Sequence, residues 1–303
     1  MAKTRYNALN SFFKQKFGER TLKICIDGGF TCPNRDGAKG TGGCIFCSEK
    51  GSGEHIKNKD ISAQIDSHLS SYRGKRANKF IAYFQNFSNT YDTIQSLKTK
   101  YDTALKNEKI VALAVATRPD CITEEIAKLL NSYTKTHYVY VELGLQTANE
   151  QSGELLNRRF SNKDFENAIN ILNKYDVDVV AHIMIGLPNE TKADLKRTVD
   201  FINKQNISGL KIHSTYVVKG TKLERMYLDG QYTPLSLEDY IKSVVYILKH
   251  VKPSLIIHRI SGDAPKDLLV APTWNLHKKW IINGINKALE EQDVIQGDSY
   301  DKE

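Results

Sequence analysis

A chain of 303 residues, 40% hydrophobic and 26% charged, has the composition of a folded protein and excludes the disordered and fibrous classes. Its formal net charge of +8 favours an anionic partner such as nucleic acid without requiring one. No apolar stretch reaches the length of a membrane span, the opening "MAKTRYNALNSFFKQKFGER" lacks the apolar core of a secretion signal, and five cysteines make a poor disulfide framework; a cytoplasmic protein with reduced thiols is expected.

In chain order, Tyr6, Leu9, Phe12, Phe13 and Phe17 share a helical face and predict an amphipathic helix over residues 3–17. From there a short β-rich apolar run alternates with a helical segment, the pattern of parallel βα units. Strands are expected at 21–26, 79–84, 110–116, 137–143, 177–185 and 209–217. Helices are expected at 60–73, 91–106, 122–132, 161–174, 191–204 and 236–250, with Thr123, Ser161 and Ser236 as N-caps. Six such units fit a partial (β/α)6 TIM-like barrel whose functional residues sit at the strand C-termini; a doubly wound open sheet is the alternative. The run "SLIIHRISGDAP" (254–265) reads as a seventh strand or a barrel-closing extension, 274–291 as a last helix, and "EQDVIQGDSYDKE" as a frayed polar tail. One domain spanning 1–303 is expected, with an N-terminal helix, a core barrel over 20–250 and a C-terminal extension over 251–303.

Three of the five cysteines, Cys32, Cys44 and Cys47, are spaced C-x11-C-x2-C in a glycine-rich loop after the first strand. Glycine lets backbone wrap closely around an object, and three soft thiolates suit zinc or iron–sulfur chemistry. A structural zinc needs a fourth ligand, for which Cys25 or His55 is the local candidate. A three-thiolate cluster instead leaves one iron open. Cys25 and Cys121 otherwise read as small core residues.

Together with "ICIDGGFTCPNRDG", "YFQNFSNTY", "ATRPD", "VELGLQT" and "AHIMIGLP", the cysteine loop resembles the radical S-adenosylmethionine (SAM) superfamily, in its YhcC/YtqA-type branch and more distantly the Elongator catalytic subunit. The resemblance runs from residue 5 to about 285. It implies a [4Fe-4S] cluster on Cys32, Cys44 and Cys47, with SAM chelating the fourth iron. Gln85 and Asn86 fall where many members carry Gly-Gly-Glu. Glu142 and Gln146 match positions near the methionine or ribose of SAM, and the backbone from Ile183 to Gly186 matches the adenine-flanking strand. The branch further implies a tRNA substrate, at the step from carboxymethylaminomethyl to aminomethyl on a wobble uridine, and a one-electron reductant such as flavodoxin or ferredoxin.

His182 and His213, which interrupt apolar strands, and Arg259 and Asp263, just past one, are candidates for substrate chemistry; core histidines and a loop-tying ion pair are the plainer readings. Arg118 and Asp120 are weighed in the same way. Basic runs at 73–79, 157–160 and 277–280 are singly solvated faces and jointly a track for an RNA backbone.

Overall fold

The structure is a computed structural model describing residues 4–51, 56 and 60–300; His55 lies outside the described residues. Seven strands form one parallel sheet whose spatial order follows the chain. They are β1 (Thr21–Ile26), β2 (Lys79–Phe84), β3 (Ile110–Thr117), β4 (Tyr138–Gln146), β5 (Asp178–Ile185), β6 (Gly209–Ser214) and, after the two-residue β7 (Val217–Val218), β8 (Ile256–Arg259). β7 leaves the sheet to pair antiparallel with β9 (Leu269–Ala271). The expected partial barrel is present, and residues 254–265 supply its seventh strand.

The strands are apolar on both faces because both faces are covered, as parallel βα connections require. In β2, Phe80, Ala82 and Phe84 point to the outer core with the helices, whereas Ile81 and Tyr83 point into the curl of the sheet. The outer layer is built from α2 (Ile61–Ser70), α3 (Ile94–Leu105), α4 (Glu124–Thr134), α6 (Asn162–Lys174), α7 (Lys192–Lys204) and α9 (Leu237–His250). The expected caps are made: Thr123 accepts from Ile126 N, Ser161 forms a capping box with Asp164, and Ser236 accepts from Asp239 N. Two helices that sequence periodicity had not marked, α5 (Glu150–Leu155) and α8 (Lys222–Leu228), are too short to display a repeat.

The curl stays open between its edge strands, since β1 and β8 each have one neighbour in the sheet. Helix α1 (Leu9–Phe17) packs against both edges, and its Leu9 and Phe13 join the inner core with Tyr83, Tyr140 and Ile256. It starts at Leu9, later than expected, because the preceding residues are used otherwise: Ala8 bridges to Ile257, whose amide donates to Asn7 O at 2.8 Å.

The C-terminal segment corrects a second expectation. A 3-10 turn at Thr273–Leu276 precedes α10 (Lys278–Glu291), and the described residues beyond it, 292–300, are docked rather than frayed. Val294 and Gln296 are buried. The Gln296 amide donates to Leu255 O and Lys252 O, both at 2.9 Å, and its Oε1 accepts from Asn7 N at 2.8 Å. One polar side chain thus joins both ends of the chain to the β8 edge. Among the described residues no helix is long and apolar enough to cross a membrane. Gln296→Leu leaves three backbone groups, one in a buried and two in part-buried hydrogen bonds, without their partner and is expected to lower stability by about 2 kcal/mol in a urea titration, whereas a frayed tail would register no change.

Candidate active site

The concave side of the sheet encloses a cavity of about 1530 Å³. Inward residues of β1 to β6 and β8 form its walls, and the cysteine loop between β1 and α2 forms one end.

Cys32, Cys44 and Cys47 all line this cavity. The loop that carries them is fastened from several sides: Arg35 donates to Cys47 O and Ser48 O at 2.9 and 2.6 Å, and Asn34 to Asn157 O at 2.6 Å. Ile45 N bonds Leu156 O, and Leu223 N bonds Ile45 O. The two helices missed from sequence therefore lead into the loop's supports. Gly51 has a positive φ, and a Cβ there would meet the Phe87 ring at 2.7 Å, so this glycine is required where the loop crosses the end of β2. Burial, reinforced by Cys47 and Cys32 and opposed by Arg118, pushes the Cys44 thiol up to about 12.

Among the described residues no three His, Cys, Asp or Glu side chains converge as the ligands of a single ion do. A cubane takes one thiolate per iron and needs its thiolates spread around a larger body. The three thiols on one cavity wall, with a nearby arginine to offset an anionic cluster, fit that group. Cys25 lies in β1, packs beside the inner core and also lines the cavity.

Deeper in the cavity lies a charged network that the sequence did not disclose. Glu142 is 2% exposed. Its Oε1 receives Lys23 Nζ at 2.8 Å; its Oε2 receives Lys211 Nζ at 2.8 Å and Tyr83 Oη at 2.6 Å. Lys211 also donates to Tyr83 Oη at 3.0 Å, and His258 Nδ1 stands 3.9 Å from Oε1. Burial would raise the Glu142 pKa, but Lys211, Lys23 and His258 bring it well below the carboxylate range. The expected cofactor contact at Glu142 thus meets a carboxylate already engaged by three protein donors. Lys23, Tyr83 and Lys211 were missed: each is one inward residue of an apolar strand, and only the fold joins them.

The remaining candidates divide. Gln146 lines the cavity at positive φ, beyond a register shift in the β4–β5 pairing. A Cβ at Gly144 would meet its Nε2 at 2.6 Å, so the glycine lets the side chain fold back over the strand. Gln85 lines the cavity, whereas Asn86 is buried beside it with Oδ1 unpartnered. Ile183 faces the outer core and Gly186 lies against Leu235; the residues of that segment that reach the cavity are His182 and Met184. His182 and His213 lie side by side inside, ring centroids 5.1 Å apart and planes tilted by 58°. Burial pushes both imidazoles down, His213 to about 3, so they are neutral. Arg259 and Asp263 pair at 2.9 Å along the same wall.

Arg118 and Asp120 form a bidentate pair, and Lys39 of the cysteine loop adds to Asp120 at 2.7 Å, so the loop-tying role is what the geometry gives them. The basic run 157–160 is a solvated face only at Arg159. Arg158 is 1% exposed and donates to Leu145 O, Thr147 O, Phe160 O, Glu150 and Asn162, fixing the end of β4 against α5 and α6.

The chain belongs to the radical SAM superfamily, whose family profile matches residues 35–202, while the Radical_SAM C-terminal domain matches 207–291. It is a radical SAM enzyme, with a [4Fe-4S] cluster and S-adenosylmethionine as its cofactors. YtqA of Bacillus subtilis is 36% identical over 98% of this chain and 94% of its own length. The tRNA uridine(34) acetyltransferase of Dehalococcoides mccartyi is 30% identical over 66% of this chain and 42% of its own. Among solved structures, Methanocaldococcus infernus Elp3 with an N-terminal deletion shares the fold at a TM-score of 0.65 and 19% identity, covering 91% of this chain and 64% of that one.

Glu142→Gln strips buried Lys211 and half-buried Lys23 of their counter-ion and is expected to cost about 3 kcal/mol at neutral pH. Because the folded pKa of Glu142 is depressed, its contribution is complete above the ordinary value of 4.5 and is lost as pH falls further. Urea melts should therefore show the gap between wild type and variant narrowing below that pH; a constant gap would mean that the lysines do not depend on the carboxylate's charge.

Proposed function

We propose that this enzyme modifies tRNA, converting a carboxymethylaminomethyl side chain on a wobble uridine to aminomethyl. The observation that carries the RNA reading is the surface beside the cavity. Ser71 and Arg73 line it next to Tyr72, which is 83% exposed with the Arg76 guanidinium over its ring at 5.9 Å. On the β8 side, Lys278 lines it next to Trp280, which is 61% exposed and stacked on His277 at 4.0 Å. Exposed aromatic faces beside cations are what unpaired bases stack on and phosphates neighbour. The relation to an enzyme named for uridine 34 of tRNA points to the same substrate class.

Cys32, Cys44 and Cys47 would hold the cluster, and Gln85 and Gln146 stand where SAM would contact side chains. Cluster and SAM together supply reductive cleavage of SAM and removal of a hydrogen atom from the substrate. The stoichiometry balances. The methylene between amine and carboxylate would lose two electrons and, with one water, leave as glyoxylate, and those two electrons would be the ones consumed in cleaving SAM to methionine and 5′-deoxyadenosine. A flavodoxin or ferredoxin would prime the cluster. The chain's own part is to exclude water, which the buried sheet and α1 accomplish, and to hold the substrate within reach.

After anaerobic reconstitution, Cys44→Ala should lose iron, sulfide and the brown absorbance, while Cys25→Ala keeps all three; retention of full iron in the first would remove Cys44 from the ligand set. Trp280→Ala should weaken tRNA binding about tenfold in a filter-binding assay, with Ile295→Ala on the opposite side of α10's sequence as a surface control. Nucleosides of tRNA from cells lacking the gene should accumulate the carboxymethylaminomethyl form, and an unchanged profile would end the tRNA reading.

A further inference from the structure

The cavity carries more positive charge than its own carboxylates neutralise. Lys23 and Lys211 share Glu142, and Arg259 and Lys278 share Asp263; all six line the cavity. Four cations therefore face two carboxylates, whereas Arg118 on the same lining is already paired with Asp120 and Arg35 is bonded to carbonyls of the cysteine loop. Uncompensated cations away from bulk water are costly and favour a bound counter-ion.

The wall formed by β6 and β8 has the donors to take one. Among the described residues Arg259 pairs with Asp263, its terminal nitrogen 2.9 Å from Oδ2, and Asp263 is shared with Lys278 and half exposed. Most of a five-donor planar fork is left, the shape that matches a carboxylate. Lys211 stands in register with Arg259 across the β6–β8 pairing. Beside them, His182 Nε2 and His258 Nδ1 are buried without hydrogen-bond partners, as polar atoms are when the group that satisfies them is missing.

We propose that Arg259, supported by Lys211, binds the carboxylate end of the substrate's side chain inside the barrel. The inference rests on the wobble-uridine reading in one respect: that substrate has a carboxylate and its product does not. The wall then does two jobs. It holds the two-carbon arm by its charged end, which presents the adjoining methylene to the interior. Once the arm is gone, the product carries a cationic amine that the same wall repels, so conversion itself weakens binding.

The test uses the reconstituted holoenzyme and two anticodon stem-loop RNAs, one with carboxymethylaminomethyluridine and one with aminomethyluridine at the wobble position. Wild type should prefer the first about tenfold or more, Arg259→Gln should erase the preference, and Arg259→Lys should restore part of it. Equal wild-type affinities overturn the proposal, as does an undiminished preference in Arg259→Gln. SAM affinity is measured in parallel by equilibrium dialysis; a comparable loss there, with substrate preference intact, gives the site to the cofactor's carboxylate and also overturns it. Preference between the two free nucleosides, with neither stem-loop bound, would sink the tRNA reading and leave the carboxylate site standing.

Discussion

A single carboxylate ties the concave side of the sheet together. Glu142 rises from β4 and meets Lys23 of β1, Tyr83 of β2 and Lys211 of β6, so four strands far apart in the chain are joined at one point. Burying such a group is expensive, and the expense is offset only when every partner is in place. The network therefore specifies how far the sheet curls: a flatter sheet would separate β1 from β6 and leave an unpaired charge inside. The apolar floor beneath it, where Phe13 and Leu9 of α1 meet Tyr140 and Ile256, gives stability but tolerates more than one curvature.

The cysteine loop depends on that frame indirectly. It has little regular structure and a backbone rich in positive-φ glycine, so its shape is imposed from outside by Asn157, Leu156, Leu223 and its own Arg35. Asn157 is in turn placed by the turn at Arg158, whose buried guanidinium reaches five acceptors around the end of β4. Gly153 belongs to the same arrangement, because a Cβ there would meet Arg158 Nε at 2.5 Å. Strand, helix and cluster loop are thus held by one cation acting on backbone carbonyls.

What could be read from the sequence follows the range of the interactions concerned. The strands, six of the longer helices and three of their caps come from alternation, 3.6-residue periodicity and contacts three residues apart, all visible locally. The three thiols were legible because their spacing and their glycines are local too. Lys23 and Glu142 are separated by 119 residues and Lys211 and Tyr83 by 128, and neither pairing leaves a local mark. Arg158 misled for a related reason: in "NRRF" it looks like its exposed neighbour Arg159, and only the carbonyls of β4 distinguish them. The tail was misjudged because the burial of Gln296 is decided by β8, forty residues earlier in the chain.

The cavity is larger than one ligand needs, since sites for small molecules occupy about 300–1,000 Å³, whereas this one measures about 1530 Å³. Its lining is divided in kind as well. Three thiols lie at the loop end beside Arg35 and Arg118, and Lys211, Arg259 and neutral imidazoles lie on the wall of β5, β6 and β8. Soft donors select iron and sulfur, while guanidinium and ammonium select carboxylate. Two occupants of different chemistry are therefore accommodated without competing for the same groups. Because β1 and β8 are the two edges of the curl, the cysteine loop after β1 and the cationic wall on β8 come together only across the open seam that α1 covers. The packing of α1 against both edges, and the clasp that Gln296 places on its leading segment, hold those two edges at a fixed separation.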